Sequence, residues 1–503
     1  MHIPDLQRHI PIYTATILGA LNTAGYQAYL VGGAVRDLLL NIEPGDFDIT
    51  TNATPEEVLA ICQSKDWQVV DNLGNNFGCM VIVLEGKPTE VTTFRGETYG
   101  EGDVHRPTAT WYCQTLREDL ARRDFTVNAI ALDLQGNLYD YFGGQQDLEA
   151  KILRPVGIGT ERYQEDALRM LRACRFVAQL GFTYVDDAAS QDPCGMEGTP
   201  YYLPQTYKFP VERCARLSLE RVRKEMDKLL VSPYAGRGLM LMMATGLLGP
   251  ACCVKEHGRI TEVPLLPEAE HLLNLHQNPK YHIYDTWEHT LLAIDDSPRD
   301  LAIRWALVLH DLGKGMPQIR KLNKDGQPTD PGHEALSAVM AKDILTRWRY
   351  NPDFIKLVTW LVAQHMRFAP MLLTGERTLL RWVRAEANSG TFKSSAEMTD
   401  AFQLLVEVFL ADMGATHARE DQKLMAEGRV LGEQVVELAR KRMPVSPKDL
   451  HISGKDLLAL ITKEEIKHML AYLLERVQSG NLPNEQEALL TAVRKNIQRK
   501  QKS

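Results

Sequence analysis

The sequence predicts an α+β protein in which a small N-terminal head with a mixed sheet is followed by an all-helical remainder. Two observations support this. Short β-rich runs such as AYLV (28–31), CMVIVLE (79–85) and TEVTTF (89–94) alternate with helical segments up to about residue 155. Beyond Pro155 the apolar residues recur mostly at helical spacing, with breaks expected around 249–268, 315–332 and 443–450.

Within the head, DFDIT (46–50) and AIALDLQGNLYDY (129–141) add further strands, and TPEEVLAIC (54–62) is a helix opened by a threonine cap and a first-turn proline. The segment YQEDALRMLRACRFVAQLGF (163–182) predicts a helix that ends near Gly181. Residues 186–210, rich in Pro, Gly, Asp and Tyr, are expected to form an irregular loop.

Composition excludes several classes of protein. The 503 residues carry a formal charge of −8, so the chain is not a uniformly basic nucleic-acid-binding protein. Its eight cysteines are scattered without a C-x-x-C pair, which is typical of reduced thiols in a cytoplasmic protein. No signal-peptide pattern or long apolar run occurs, so no membrane span is expected. The basic last ten residues predict a frayed tail.

Two glycines, Gly32 and Gly33, lie between the strand AYLV and a predicted helix. Glycine at such a turn allows close approach of a phosphate, which the helix N-terminus also favours, and Arg36 could add a positive charge. The alternative interpretation is an ordinary tight turn between a strand and a helix.

Asp46 and Asp48 flank Phe47 in a predicted strand. Residues two apart on a strand share a face, so both carboxylates would converge while Phe47 enters the core. Carboxylate oxygens suit Mg²⁺, and this pattern is a candidate for nucleotidyl transfer, although D-x-D is also common in solvated turns. Glu90 is either a third carboxylate of this site or an exposed strand residue.

The segment RRDFTVNA brings together Arg122, Arg123, Asp124 and Asn128. Arginine can bind phosphate oxygens, and Asp or Asn can hydrogen-bond a ribose hydroxyl. A surface cluster of salt bridges is the alternative.

Asp166 and Arg169 are three residues apart on a predicted helix, and Arg172 follows one turn later. The Asp166 carboxylate, a hydrogen-bond acceptor, beside the guanidinium of Arg169, a donor, could bind the edge of a nucleotide base and distinguish C from A. An intrahelical ion pair explains the same spacing.

The strings LVGGAVRD, DFDI, RRDFTVNA and EDALRMLRACRF, in this order, closely resemble those of the bacterial tRNA nucleotidyltransferases, the class II CCA-adding enzymes of the polymerase-beta-like superfamily. The resemblance implies a nucleotidyltransferase head (1–155), a base-selecting neck (156–260) with a loop insertion at 186–210, a body (261–425) and a tRNA-binding tail (426–503). It further implies Mg²⁺ on Asp46 and Asp48, and CTP, ATP and tRNA as substrates.

A second set of residues lies in the body. His289, the pair His310-Asp311 in WALVLHDLGKG, and Asp412 lie in helical segments, where an isolated histidine is usually a packed core residue. Their order resembles that of the HD-domain phosphohydrolases. The resemblance implies that these four residues bind a divalent metal (Mn, Ni, Fe or Mg), with His333 and His365 as auxiliary ligands or phosphate contacts.

The sequence therefore predicts template-independent CCA addition to tRNA together with a phosphohydrolase activity of the HD domain, and no obligatory protein partner. Close alternatives are a CC-adding enzyme, an A-adding enzyme or a poly(A) polymerase; the 95–106 segment favours complete CCA addition. More distant alternatives are a regulatory protein nucleotidyltransferase and a non-catalytic RNA-binding scaffold. The basic residues between 213 and 228 are mixed with acidic ones, which is typical of a solvated helix face.

Overall fold

The computed structural model describes residues 6–70, 78–98, 109–187, 189–190, 194–195, 197–372 and 376–500. The chain divides into two units, Met1–Glu270 and His271–Ser503. All eight cysteines lie in the described part of the chain and are free thiols, as predicted.

A mixed, seven-stranded sheet forms the centre of the first 155 residues, and this confirms the predicted sheet. Asp48–Thr51 and Lys87–Thr93 pair in parallel, and the other neighbours are antiparallel. In spatial order its strands are Gln68–Val70, Cys79–Leu84, Lys87–Thr93, Asp48–Thr51, Ala28–Val31, Ile130–Leu132 and Leu138–Asp140.

Local sequence explains where the helices of this unit begin and end. Thr54 and Glu57 form the reciprocal capping box that opens Pro55–Ser64, as its predicted cap requires. Gly181 ends Leu168–Leu180 in the left-handed conformation. The α-helices of the first unit are Ile12–Thr23, Gly33–Leu39, Pro55–Ser64, Leu116–Ala121, Gly144–Ala150, Gly159–Glu165, Leu168–Leu180, Leu219–Leu230 and Ala235–Ala244.

One face of the sheet packs against Leu116–Ala121. Val31 and Ala131 from the sheet, Leu116 and Leu120 from the helix, and Phe94 belong to one buried cluster. Burying these apolar side chains contributes about 1.5–3 kcal/mol for each large residue and fixes this short helix above the strands.

Three predictions for the first unit need correction. The expected helix through 163–182 is interrupted at Asp166, where φ is −135° and one helix ends before the next begins. The 186–210 loop contains a short antiparallel pairing of Ala189–Ser190 with Thr206–Tyr207, although 188, 191–193 and 196 lie outside the described residues. The break predicted at 249–268 is largely an antiparallel hairpin, Ala251–Glu256 with Arg259–Pro264.

A further two-stranded ladder joins Arg95–Thr98 to Ala109–Tyr112.

The second unit is helical, with a two-residue ladder between Lys321–Leu322 and Pro328–Thr329 inside the break predicted at 315–332. The last basic segment is helical up to Lys500, so the predicted fraying is wrong there; 501–503 lie outside the described residues. Its α-helices are Thr286–Asp296, Leu301–Leu309, His333–Arg347, Pro352–Gln364, Phe368–Met371, Glu376–Asn388, Ser395–Gly414, Gln422–Arg442, Gly454–Leu457, Lys463–Gln478 and Gln486–Lys500.

Among the described helices, none combines the length and the apolar character needed to cross a bilayer.

Candidate active sites

Three carboxylates meet at the start of the strand Asp48–Thr51. The parallel register pairs Ile49 with Val91, which places Asp48 beside Glu90 of the neighbouring strand. Burial and then the negative charges of Glu90 and Asp46 raise the pKa of Asp48 to about 7. The arrangement therefore concentrates negative charge where oxygen ligands could bind a divalent cation. Glu90 is an exposed strand residue, as one interpretation expected, and it also lies beside Asp48, as its role as a third carboxylate requires.

The strand begins later than the sequence predicts. Asp48 is its first residue, so Asp46 lies in the preceding non-regular segment, and its side chain is exposed. Phe47, expected in the core, is only half-buried. The two acidic residues are therefore not two positions of one strand, as the sequence predicts.

The glycine turn lies close to an arginine. Gly32 has φ 79° and ψ −138°, and a Cβ built there would lie 3.3 Å from Nη1 of Arg123. The following helix, Gly33–Leu39, carries Arg36, which is 4% exposed and donates to Oδ1 of Asn128 at 2.7 Å. In this structure Arg36 therefore positions Asn128.

Asp119 organises the two arginines of the RRDFTVNA segment, and sequence reasoning missed it. Its buried carboxylate accepts from Arg122 (Nη2 to Oδ1, 2.7 Å) and lies 3.4 Å from Nη2 of Arg123. The Thr50 hydroxyl donates to its second oxygen at 2.9 Å. Burial opposes ionisation, but the charges of the two arginines outweigh it and hold the pKa of Asp119 below its usual value. The capping box of Thr115 and Glu118 marks this helix in the sequence, but it does not show which residue faces inward.

Asp124 connects the same segment to the helix Leu168–Leu180. Its Oδ2 accepts from Nε and Nη2 of Arg172 at 2.8 and 2.6 Å, and its Oδ1 accepts from the amide of Asn128 at 3.0 Å. Burial raises the pKa of Asp124, but Arg172 and Asn128 together lower it well below its usual range. A buried network is present here instead of the surface cluster that was the alternative interpretation.

Asp166 and Arg169 do not share one helix face, because Asp166 lies in the break between two helices. The Asp166 side chain accepts from the backbone N–H of Leu168 at 2.9 Å. Arg169, 6% exposed, donates to Oε2 of Glu165 at 2.9 Å and to the backbone carbonyl of Arg122 at 2.6 Å. Arg169 thereby connects the end of the helix Gly159–Glu165 to the RRDFTVNA segment.

In the second unit the structure brings together the four predicted HD residues. Nε2 of His289 lies 2.9 Å from Oδ1 of Asp412 and 3.7 Å from Oδ2 of Asp311. Nε2 of His310 lies 3.2 Å from the same oxygen of Asp311 and 3.6 Å from Asp412. The helices Thr286–Asp296 and Ser395–Gly414 supply His289 and Asp412, and the end of Leu301–Leu309 supplies His310 and Asp311.

These donor atoms fit a metal ion. Nε2 of His289, Nε2 of His310 and both oxygens of Asp311 are buried, and among the described residues their close contacts are ion-pair contacts with one another, with Asp412, with His333 and with Lys314. Imidazole nitrogen and carboxylate oxygen are good ligands for divalent transition metals. Burial opposes ionisation of Asp311, yet the charges of His310 and Lys314 hold its pKa well below the usual value.

Two further residues of this site were not assigned a role from the sequence. Nζ of Lys314 lies 2.7 Å from Oδ2 of Asp311 and donates to Oε1 of Gln277 at 2.8 Å. The ring of His282 packs edge-on against His289, with 5.0 Å between the centroids. Lys314 could have been found in the sequence, because it lies one turn after His310-Asp311.

Three family models match the chain. "Poly A polymerase head domain" matches residues 28–154, "Probable RNA and SrmB- binding site of polymerase A" matches 211–251, and "HD domain" matches 281–402. The first model covers the three carboxylates and the RRDFTVNA segment, and the third covers His289, His310 and Asp311 but ends before Asp412.

Curated relatives and solved structures agree with these models. The CCA-adding enzyme of Geobacillus thermodenitrificans is 45% identical over 232 residues, which are 46% of this chain and 52% of that relative, so the match spans about half of its length. The CCA-adding enzyme of Bacillus pumilus is 30% identical over 477 residues, or 94% of each chain. The crystal structure of the Bacillus stearothermophilus CCA-adding enzyme in complex with CTP is 26% identical, covers 100% of both chains and has a TM-score of 0.60. The predicted fold class and the resemblance are thereby confirmed, and the chain belongs to the family of CCA-adding enzymes.

Proposed function

We propose that this chain adds cytidine, cytidine and adenosine to the 3′ end of tRNA from CTP and ATP, without a nucleic-acid template. The observation that carries the proposal is the convergence of Asp46, Asp48 and Glu90 beside the Gly32 turn, in a chain whose similarity to a CCA-adding enzyme extends over 94% of its length. The related Bacillus stearothermophilus structure holds CTP, which supports the assignment of a nucleoside triphosphate to the head.

In this proposal Asp46 and Asp48 hold Mg²⁺, which when bound neutralises charge on the phosphates and favours ionisation of the attacking hydroxyl. Asp48 and Glu90 together repel an approaching triphosphate unless a cation is present, so the head is expected to bind nucleotide and metal together. Arg123, next to the Gly32 turn, supplies positive charge for the phosphates, and Asp119 keeps its side chain in place.

The choice between CTP and ATP is assigned to Asp166 and Arg169. The ion pair between Arg172 and Asp124 is assigned to holding the adjoining segments in place. Arg169 is anchored at Glu165 and at the carbonyl of Arg122, so its guanidinium has a defined direction without nucleic acid. A guanidinium held in place can prefer one base edge over another because an unmatched buried donor is costly.

Replacing Arg169 by alanine is expected to reduce the preference for CTP over ATP at the first position by about 10- to 100-fold, the worth of one charged hydrogen bond. The measurement is single-nucleotide incorporation into tRNA that ends at the discriminator base. Glu161→Ala, an exposed change on the preceding helix, is the matched control. An unchanged CTP preference in Arg169→Ala would contradict the base-selecting role.

Complete CCA addition is distinguished from CC addition, A addition or poly(A) synthesis by supplying tRNAs truncated at each step with one nucleotide at a time. Part of the segment that favours complete addition, residues 99–106, lies outside the described residues. Incorporation of C, C and A in order, and then arrest, is the expected result.

The second proposed activity is phosphoester hydrolysis by the body, with 2′,3′-cyclic phosphates on damaged RNA ends as the candidate substrate class. The four-residue set of His289, His310, Asp311 and Asp412 supports it. A bound Mn, Ni, Fe or Mg ion would lower the pKa of a water molecule and polarise the phosphorus centre. Lys314, beside Asp311, provides a positive charge for an anionic substrate.

Replacing Asp311 by asparagine is expected to lower this hydrolysis by about 10³-fold, since it removes a buried ligand charge. Chelation with EDTA should have the same effect on the wild-type protein. The Asp46→Ala variant is the control, and we expect it to lose nucleotide addition while keeping hydrolysis. Hydrolysis unaffected by Asp311→Asn would refute the proposal.

The proposed partners are tRNA, CTP and ATP. Contacts with tRNA are assigned to the helix Leu219–Leu230, within the segment that matches the RNA-binding model, and to the tail 426–503. Strong salt dependence of tRNA binding is expected because phosphate contacts release counterions. We infer a cytoplasmic location, where tRNA is processed, and no obligatory protein partner. The finer boundaries of head, neck, body and tail remain predictions.

A further inference from the structure

The 186–210 loop packs against the short helix Gly159–Glu165. In the described part of the loop, three aromatic side chains are at most 8% exposed: Tyr201, Tyr207 and Phe209. The ring of Phe209 lies against that of Tyr163 in the helix, with 4.8 Å between the centroids. This part of the loop is therefore packed into the first unit and is not a solvated excursion of the chain.

The helix Gly159–Glu165 depends on contacts from outside itself. It has seven residues, and isolated helices shorter than about 12 residues are marginal in water because the first turn is costly to form. Its N-cap residue is Ile158, which has no polar side chain to cap the helix. Its buried residues are Gly159 and Tyr163, so these two positions carry most of its packing.

The loop supplies an acceptor at the start of this helix. Oδ1 of Asp187 accepts from the backbone N–H of Gly159 at 3.2 Å. An N–H in the first turn has no partner within the helix, and a carboxylate there also interacts favourably with the helix dipole. The neighbouring Asp186 lies so close that a Cβ built at Gly159 would overlap its carboxylate. The loop thus provides the cap that Ile158 lacks.

The loop also holds Tyr163 in the middle of the helix. The Tyr163 hydroxyl forms a hydrogen bond with that of Tyr184, which donates to Oδ2 of Asp186 at 2.6 Å. The Phe209 ring packs against Tyr163 and also meets the edge of Tyr184, with 5.6 Å between the latter centroids. Both the ring and the hydroxyl of Tyr163 are therefore fixed by groups that end in the loop.

This helix leads directly into the residues assigned to base selection. Its last residue, Glu165, accepts from Nη1 of Arg169 at 2.9 Å, and Asp166 follows at the break. The second anchor of Arg169 is the backbone carbonyl of Arg122. If the helix frays or shifts, the Glu165 carboxylate moves, and the Arg169 guanidinium loses one of the two contacts that set its direction.

We propose that the 186–210 loop determines nucleotide specificity from a distance, with Asp187 and Phe209 as its positioning residues. They hold the helix Gly159–Glu165 in place, so that Glu165 directs Arg169 toward the base. Neither residue needs to touch the nucleotide. The inference rests on the proposed choice between CTP and ATP, and it gives that choice a second determinant in a loop that had no assigned role.

The first test removes the cap of the helix. Asp187→Ala deletes the acceptor for Gly159 and, because the side chain is exposed, leaves the buried aromatic residues intact. We expect the preference for CTP over ATP at the first position to fall by about 3- to 10-fold, as the loss of a helix cap implies. Asp187→Asn keeps an oxygen acceptor and should restore most of the preference. Glu197→Ala, an exposed carboxylate in the same loop, is the matched control and should keep it.

The measurement is kcat/KM for CTP and for ATP with tRNA that ends at the discriminator base. A smaller folded fraction lowers both values in the same proportion, so their ratio reports positioning and not stability. Phe209→Ala should lower the ratio at least as far as Asp187→Ala, and Phe209→Leu, which keeps most of the buried volume, should lower it less. In an Arg169→Ala background, Asp187→Ala should change the ratio by less than about twofold, because both substitutions act through one guanidinium.

Hydrogen exchange of the backbone amides 159–165, followed by mass spectrometry, tests the hold on the helix without any activity. Exchange should become about 3- to 10-fold faster in Asp187→Ala and stay unchanged in Glu197→Ala. Unchanged exchange in Asp187→Ala and in Phe209→Ala refutes the inference.

Two further outcomes separate this inference from the proposed function. Faster exchange with an unchanged CTP preference, or a full effect of Asp187→Ala in the Arg169→Ala background, refutes the role of the loop in specificity and leaves nucleotide addition standing. A wild-type chain that incorporates neither nucleotide refutes the proposed function, and the exchange measurement then still decides whether the loop holds the helix.

Discussion

Replacing Asp48 by asparagine is expected to lower the kcat of nucleotide incorporation by about 10²–10³-fold, with little change in stability. Asparagine keeps the size of the side chain but removes the negative charge that the proposed metal requires; loss of one such electrostatic contact in a transition state typically costs about 10²–10³-fold. Because burial and the carboxylates of Glu90 and Asp46 disfavour the charged form of Asp48, neutralising it should not destabilise the head and should relieve repulsion.

The measurement is single-turnover incorporation of CMP into tRNA ending at the discriminator base, with a thermal melt of the same preparation. Glu43→Gln, an exposed acidic residue shortly before the site, is the control and should retain wild-type rates. Incorporation by Asp48→Asn within tenfold of the wild-type rate would contradict the assignment. A lower melting temperature of Asp48→Asn would contradict the argument that the negative charge of Asp48 is unfavourable in the folded head.

Replacing Asp119 by alanine is expected to destabilise the first unit by about 3–5 kcal/mol, as does removal of one partner from a buried ion pair. The carboxylate is 0% exposed, and Arg122, Arg123 and the Thr50 hydroxyl all lie against it. Without it, two guanidinium groups lose a buried negative charge. Nucleotide addition should fall as well, because Arg123 is released from its place beside Gly32.

Urea unfolding of the full chain measures this effect as an earlier first transition. Arg117→Ala, an exposed change on the same helix, is the control and should stay within about 0.5 kcal/mol of the wild-type value. A loss below 1 kcal/mol for Asp119→Ala would mean that the arginines find other partners. The role given to Asp119 in positioning them would then be wrong.

Much of the candidate site could be predicted because its chemistry is carried by short strings. Asp48 belongs to the short string DFDIT, which has a strand pattern, and His310-Asp311 ends an apolar helix; both patterns are local. The helix caps at Thr54 and Gly181 are equally local, since each depends on contacts within a few residues. Such features appear in the structure close to where the sequence places them.

The features that the sequence did not predict share a different cause. Asp119 is not distinguished from Glu118 in the sequence, and only packing of the helix against the sheet turns it inward to meet Thr50. The break at Asp166 lies in a segment with good helical spacing, where Arg169 instead reaches Glu165 and the carbonyl of Arg122. The hydrogen bond from Arg169 to the carbonyl of Arg122 spans 47 residues, and tertiary contacts of this kind can override helix propensity.

Linear patterns in the sequence predict the residue types of both sites and the family of the chain. They also predict the division into a mixed-sheet head and a helical remainder. These depend on periodicity, capping and short motifs, which act over a few residues. The identity of each partner depends on folding: the pairing of Asp124 with Arg172, the hold of Asp119 on two arginines, and the contacts of His310 and His333 with different oxygens of Asp311. Burial makes an unpaired polar atom costly, so the folded chain, and not the local pattern, selects which distant group satisfies it.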